Sequence, residues 1–254
     1  MSALPPDGMP SPLKAVVFDL DDTLYLEQDY VLSGFRHLSG LVAADAESSP
    51  QQILSFLNTS AADPRNQGHI LDLLLTEYPG LRTAWDACRL IEEYRCHTPT
   101  ISLLPGVEPM LSELRAAGVR LGVITDGASE SQHRKARALG LATLVDMLIV
   151  TDDKGIEYRK PHPYAYLYVA ERFGLEPAAC AYVGDNPAKD FLAPRRLGWE
   201  TVRIRLSYQL HEAAEPLSPE AAPRVESRGM MELRCFLISR LSPTSAKKPV
   251  QSFP

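Results

Sequence analysis

The sequence predicts an α/β fold, a Rossmann-like and mostly parallel sheet with helices on both faces, carrying an inserted α-helical domain. Three observations predict it. Short apolar runs bounded by turn signals occur at Ala15-Val16-Val17-Phe18, Leu121-Gly122-Val123-Ile124, Met147-Leu148-Ile149-Val150 and Ala181-Tyr182-Val183-Gly184, the pattern of buried parallel strands. From Leu103 onward these runs alternate with helical stretches, the order that builds a parallel sheet through right-handed crossovers. Each run ends in an acidic or hydroxyl residue, at Asp19, Thr125, Thr151-Asp152-Asp153 and Asp185, and ligands of such sheets bind outside the carboxyl ends of the strands. The chemistry is therefore expected where Asp19, Thr125 and Asp185 converge.

The elements follow in chain order. Residues 1–12 carry Pro5, Pro6, Pro10 and Pro12 but neither a basic start nor an apolar middle, so a flexible tail is expected and not a signal peptide. The first strand runs into a turn at Asp21-Asp22-Thr23-Leu24-Tyr25. Residues 26–100 then show helical spacing and no strand pattern: Val31/Leu32, Phe35 and Leu38 to Val42; Ile53/Leu54 to Leu57; Ile70 and Leu71 through Leu74/Leu75; Trp85 through Leu90/Ile91 to Tyr94. Pro50, Pro64, Pro79-Gly80 and Pro99 punctuate them. This stretch is an insertion in a core made of residues 13–25 and 101–242.

The core continues as helix 107–117, strand 119–124, helix 129–139, strand 145–150, helix 163–173, strand 180–184, helix 187–197 and strand 200–205. Leu206 to Ser227, with Pro216, Pro219 and Pro223, reads as a loop holding one short edge strand near Arg224 to Glu226. A helix from Gly229 to Arg240 closes the fold, and residues 243–254 are expected to form a second flexible tail.

Composition narrows the functional classes. The chain has 254 residues, 45% hydrophobic and 23% charged, ordinary values for a soluble globular protein of one or two domains. A formal net charge of -6 argues against a nucleic-acid partner, whose phosphates need a clustered basic surface. No apolar run is long enough to cross a bilayer. Cys88, Cys96, Cys180 and Cys235 are far apart and form neither a CxxC pair nor a zinc spacing, which suits reduced thiols in a cytoplasmic protein.

The candidate site residues are weak one at a time. Asp19 and Asp21 lie two apart at the end of an extended segment, so both side chains can face one crevice. Two carboxylates there repel unless a cation or a proton sits between them. Asp185 adds a third from a neighbouring strand, and an oxygen-rich cluster of this kind suits magnesium. Taken alone, Asp19-Asp21-Asp22 fits an acid-rich turn equally well. Asp185-Asn186-Pro187 alone also fits a helix start, with Asn186 as N-cap and Pro187 at the first helical position. At Thr125-Asp126-Gly127 a hydroxyl and free backbone N–H groups can hold a phosphate oxygen, while Thr125 or Ser129 as a plain N-cap is the local alternative. Lys160-Pro161 offers a cation for an anionic substrate, or a solvated side chain. Asp190 is expected in a first helical turn, where it would also suit the helix dipole.

In joint order, Asp19-Leu20-Asp21-Asp22-Thr23, Thr125-Asp126-Gly127, Lys160-Pro161 and Gly184-Asp185-Asn186 with Asp190 resemble the four motifs of the haloacid dehalogenase superfamily of phosphohydrolases. The resemblance covers about residues 13 to 240. The helical insertion resembles the cap of the subgroup whose lid lies between the first and second motifs. What the resemblance implies is a two-step phosphoryl transfer. Asp19 would be the nucleophile that forms an aspartyl phosphate. Asp21 would protonate the leaving oxygen and then take a proton from the attacking water. Asp19, Asp185 and the Asp21 backbone carbonyl would hold Mg2+, with Asp190, Asn186 and Thr23 supporting them from behind. Thr125 and the N–H of Asp126 would bind phosphoryl oxygens, and Lys160 would offset charge. Many members carry Asn where this chain has Asp126; the backbone N–H survives that change, and the resemblance gives the Asp126 side chain no role.

The expectation is thus a magnesium-dependent phosphatase of a small phosphorylated metabolite, of the sugar phosphate or nucleotide monophosphate class. A phosphosugar mutase, a metal-free haloacid dehalogenase and a catalytically silent binding protein are the alternatives. Asp21 argues against the dehalogenase, because halide displacement needs no general acid. In the insertion, Arg36, His37, Arg65 and Arg82 are candidates for substrate contact, although ordinary solvated side chains fit them too.

Overall fold

A computed structural model of the chain describes residues 11–241; apart from residues 11 and 12, the two expected tails lie outside them. Six strands form one parallel sheet: β1 (Ala15–Phe18), β2 (Arg120–Thr125), β3 (Met147–Val150), β4 (Cys180–Gly184), β5 (Glu200–Ile204) and β6 (Val225–Ser227). Their order is β3-β2-β1-β4-β5-β6, with every neighbouring pair parallel. The chain builds outward from β1 to β3 and then returns to lay β4 on the other side of β1. That reversal opens a crevice at the carboxyl ends of β1 and β4. Phe18 pairs with Val123 and with Val183, so Asp19, Thr125 and Asp185 leave the sheet within one residue of the same level.

Both faces of the sheet are covered, as buried parallel strands require. Val16, Phe18, Val123 and Val183 pack on one face with Leu111, Leu114 and Leu237, while Val17, Ile124 and Tyr182 pack on the other with Tyr166, Val169 and Trp199. The alternation of Val16 and Val17 between layers is the period of two of an extended chain.

The insertion holds α1 (Glu27–Val42), α2 (Pro50–Ala61), α3 (Ile70–Glu77) and α4 (Ala87–Cys96) around an apolar cluster of its own that includes Phe35, Leu38, Ile53, Leu57, Leu74 and Leu90. Ser49 and Gln52 close the start of α2 with a reciprocal capping box. Trp85 is not part of α4 as its spacing suggests. Asp86 accepts the Arg89 N–H at 2.8 Å and starts the helix there. The Trp85 indole instead donates to Asp45 at 2.7 Å, with the Arg89 guanidinium over its ring.

The remaining helices are α5 (Val107–Ala116), α6 (Ser129–Ala138), α7 (Leu141–Leu144), α8 (Tyr164–Phe173), α9 (Leu192–Arg196) and α10 (Met230–Ser239). One expectation fails here. The helix expected over 187–197 is only α9, because Asn186 Oδ1 accepts from Ala188 N at 3.0 Å and the Asp190 carboxylate reaches back to Asn186 N at 2.9 Å. These bonds close a turn ahead of the helix. Asn186 is therefore not an N-cap, Pro187 not a first helical residue, and Asp190 not in the first turn. The N-cap alternative for Thr125 and Ser129 also falls, since Ala128 holds that position in α6 and no side chain caps it. Among the described residues no helix is long and apolar enough to cross a membrane.

Candidate active site

The crevice is organised by a buried cation between two buried acids. Asp19 continues the ladder of β1, donating its N–H to Val183 O at 2.8 Å, which fixes the direction of its side chain. Its carboxylate meets Lys160 Nζ at 2.7 Å, and the same ammonium lies 2.8 Å from Asp190 and 3.0 Å from the Tyr182 hydroxyl. Lys160 arrives from the loop after β3. Asp126 holds that loop: its Oδ1 accepts from Lys160 N at 3.1 Å and from the Thr151 hydroxyl at 2.8 Å, while Lys189 Nζ lies 3.5 Å from its Oδ2. The Asp126 side chain is thus engaged with neighbouring loops, a role the sequence did not suggest.

Asp19, Asp185 and Asp190 each bring an oxygen within 4.8 Å of the others, and all three are buried. Gly184 permits this crowding, because a Cβ there would stand 2.4 Å from Asp190 Oδ2. Burial pushes the Asp185 carboxyl up to about 9, with the Asp190 and Asp19 charges adding to it. Burial likewise raises Asp19 to about 6 against the opposing pull of Lys160. Asp185 Oδ2 is buried without a hydrogen-bond partner. A cluster of carboxylate oxygens, destabilised by burial and holding one orphaned acceptor, fits a small hard divalent cation. Asp190 belongs geometrically to this cluster, whereas only Asp19 and Asp185 of the expected carboxylate ligands do.

The Asp21 carboxylate is held on the other side of the crevice. Lys135 Nζ donates to Oδ1 at 2.6 Å, Gln132 Nε2 to Oδ2 at 2.9 Å, and the Tyr25 hydroxyl also to Oδ1. Burial alone would raise its pKa, but the Lys135 charge and these hydrogen bonds keep the carboxyl below the usual range. Asp22 ties the turn together, accepting from Glu27 N at 2.8 Å and Leu210 N at 2.7 Å. Arg203 does the same behind Asp185, donating to Asp185 O at 3.0 Å and to His211 O at 2.8 Å. The Thr125 and Thr23 hydroxyls are buried and unpartnered. An orphaned Thr125 hydroxyl at a strand end is an unused donor for an incoming oxyanion.

The insertion's candidates make other contacts. Arg65 pairs with Asp63, Arg82 donates to Leu75 O, His37 lies 3.8 Å from Glu93, and Arg36 is exposed. Sequence reasoning missed Lys135, Gln132, Tyr25 and Tyr182. A signal existed for the first two: the Ser129-Glu130-Ser131-Gln132-His133-Arg134-Lys135 stretch has no apolar stripe, so a helix there had to bury polar groups against polar partners.

The haloacid dehalogenase-like hydrolase family matches residues 13–198. The chain belongs to this family. A glyceraldehyde 3-phosphate phosphatase from Methanocaldococcus jannaschii is 32% identical over 197 residues, 76% of this chain and 85% of that one. A second glyceraldehyde 3-phosphate phosphatase, from Methanopyrus kandleri, is 28% identical over 221 residues, 84% of this chain and 92% of that one. By the family it belongs to, the chain is a hydrolase. Among solved structures, the putative HAD-hydrolase YfnB from Bacillus subtilis, bound to magnesium, has a TM-score of 0.62 at 22% identity, covering 89% of this chain and 99% of that one. The 2-haloacid dehalogenase from Pseudomonas syringae pv. Tomato has a TM-score of 0.58 at 23% identity, covering 90% and 99%. Likeness at that level carries the fold alone.

Proposed function

We propose that the chain is a magnesium-dependent phosphatase that hydrolyses a small phosphorylated metabolite through an aspartyl phosphate on Asp19. The observation that carries this reading is the buried Asp19 carboxylate paired with Lys160, beside an unpartnered Thr125 hydroxyl and an unpartnered Asp185 oxygen. Asp19 and Asp185, with the Asp21 backbone carbonyl, would hold the magnesium, and Asp190 is close enough to join or brace them. A cation held there would supply positive charge against the phosphoryl oxygens.

The protein's own groups account for the remaining steps. Lys160 neutralises Asp19 as the negatively charged ester approaches, and Thr125 Oγ1 with the Asp126 N–H orients two phosphoryl oxygens. Asp19 attacks phosphorus, the P–O bond to the leaving group breaks, and Asp21, ionised beside Lys135 in the free enzyme and protonated as the phosphate dianion binds beside it, gives that oxygen its proton. Water then attacks the phosphorus of the aspartyl phosphate, passes a proton to Asp21, and inorganic phosphate departs with Asp19 restored. Residues 26–100 act as a cap over the 13–25 and 101–242 core, excluding water and meeting the leaving group.

The two relatives named for glyceraldehyde 3-phosphate support a short sugar phosphate over a nucleotide monophosphate. The unpaired Cys88, Cys96, Cys180 and Cys235 support a cytoplasmic setting. A panel of phosphometabolites assayed with magnesium and after exhaustive chelation tests the reading. Release of phosphate from at least one small ester, lost on chelation and restored by magnesium, is expected. Full activity in chelator contradicts the metal, transfer of phosphate to a second sugar hydroxyl indicates a mutase, and failure on every ester leaves a silent binding protein.

A further inference from the structure

We propose that Lys135 and Gln132 of α6 are positioning residues for the Asp21 carboxylate, and that Tyr30 of α1 ties this hold to the helical insertion. The inference rests on the phosphatase reading above and adds a part of the machinery outside the four motifs. Lys135 is 4% exposed although it is a lysine, and its ammonium is spent on one acid, Asp21 Oδ1, at 2.6 Å. Gln132, one helical turn earlier and 3% exposed, bridges Asp21 Oδ2 at 2.9 Å and Asp126 O at 2.6 Å. Each Asp21 oxygen thus has a donor from the same helix face, and Tyr25 adds one from the turn itself. A carboxylate gripped at both oxygens has one orientation, which proton transfer along a defined line requires.

The insertion takes part in the same grip. The Tyr30 ring lies 4.2 Å from Lys135 Nζ, close enough for a cation–π contact, and the Tyr30 hydroxyl is 2.7 Å from the Ser131 hydroxyl, a buried contact. Ser131, Gln132 and Lys135 are adjacent on one face of α6, so α1 rests on the residues that hold Asp21. A displacement of α1 therefore acts on Asp21 through Lys135, and also through Glu27 at the start of α1, whose partly buried carboxylate feels the charges of both Asp21 and Lys135.

Lys135→Met keeps length and removes the charge, and rapid-quench kinetics on it test the proposal with one aryl and one alkyl phosphate. An aryl oxide leaves without a proton, so the first displacement survives a misplaced Asp21 while hydrolysis of the aspartyl phosphate does not. The variant should give a burst of about one equivalent of aryl alcohol and then a steady rate lowered roughly tenfold to a hundredfold, with alkyl phosphate turnover lowered at least as much and without a burst. On the aryl ester KM should fall together with kcat, because breakdown of the intermediate now limits turnover, leaving kcat/KM near the parent value, and Lys135→Arg should recover part of the steady rate. A merely structural lysine would scale burst and steady phases down together; that result, or parent-like rates on the alkyl ester, overturns the proposal. Gln132→Met carries the same test if Lys135→Met does not fold. Absence of phosphatase turnover in the parent protein would count against the phosphatase reading instead.

Discussion

The Lys160 ammonium stands between Asp19 and Asp190 with its side chain fully buried, so its removal leaves two buried carboxylates facing each other. Breaking such a pair costs about 3–5 kcal/mol, because the surviving charge is uncompensated. Lys160→Met is therefore expected to lose that much stability in denaturant unfolding and all turnover; an unchanged midpoint would contradict the role given to the ammonium. Asp126 gives a finer test. An asparagine there can still accept from Lys160 N and the Thr151 hydroxyl and forfeits only the partly exposed Lys189 pair, so Asp126→Asn should shift stability by under about 1 kcal/mol. Asp126→Ala leaves the Lys160 N–H without its partner and should cost about 1–3 kcal/mol in the same measurement. Residues at strand ends, Asp19, Thr125 and Asp185, were legible because the strands that carry them were. Lys135 and Gln132 meet Asp21 across 114 and 111 residues of chain, and no local pattern reports a contact made only when α6 docks against the turn after β1.

At the scale of the element, the packing of α1 on α4 is the part of the insertion most sensitive to a single atom. A Cβ on Gly34 would stand 2.2 Å from the Tyr94 ring, and Tyr94 also makes edge-on contact with Tyr30 at 5.5 Å between centroids. Alanine gains about 1 kcal/mol of helix propensity over glycine, but overpacking costs about 1–3 kcal/mol. Gly34→Ala should therefore leave the melting temperature level or lower it; a rise would mean that α1 and α4 are packed more loosely than described. The helices of the insertion were readable from their apolar spacing, except where a cap intervened, as Asp86 does between Trp85 and α4. Helix 187–197 was misread because Pro187 and Asn186 are good helix starters in isolation. The Asp190 carboxylate, bonded to Asn186 N and to Lys160, claims the chain for a turn first. A tertiary demand on one side chain outweighed the local signal.

On the scale of the whole molecule, the sheet gathers more negative charge at one edge than the protein alone neutralises. Asp185 at about 9 and Asp19 at about 6 are both raised from 3.8. A carboxyl raised in the folded state contributes stability that is full below its unfolded value and is lost as pH climbs through the folded value. The metal-free protein should thus lose stability from these two groups between about pH 4 and 9. Protons and cation compete for the same oxygens, so the rise in melting temperature on adding magnesium should be larger at pH 8 than at pH 6, as scanning calorimetry at the two pH values would read. An equal rise at both, or none, would place the cation elsewhere.

The parallel order was expected from alternating helices and strands, and the reversal at β1 and β4 is what converts four scattered motifs into one crevice. On the proposed reading that convergence would make Asp19 the nucleophile and Asp21 its proton partner, and one measurement addresses both. Asp21→Asn, mixed with magnesium and an aryl phosphate and quenched in acid, should release a burst of about one equivalent of aryl alcohol, because the first displacement persists while hydrolysis of the intermediate slows. The trapped phosphoryl group should map to Asp19. Turnover of alkyl phosphates at the parent rate without a burst, or phosphate trapped on any other residue, would contradict the account.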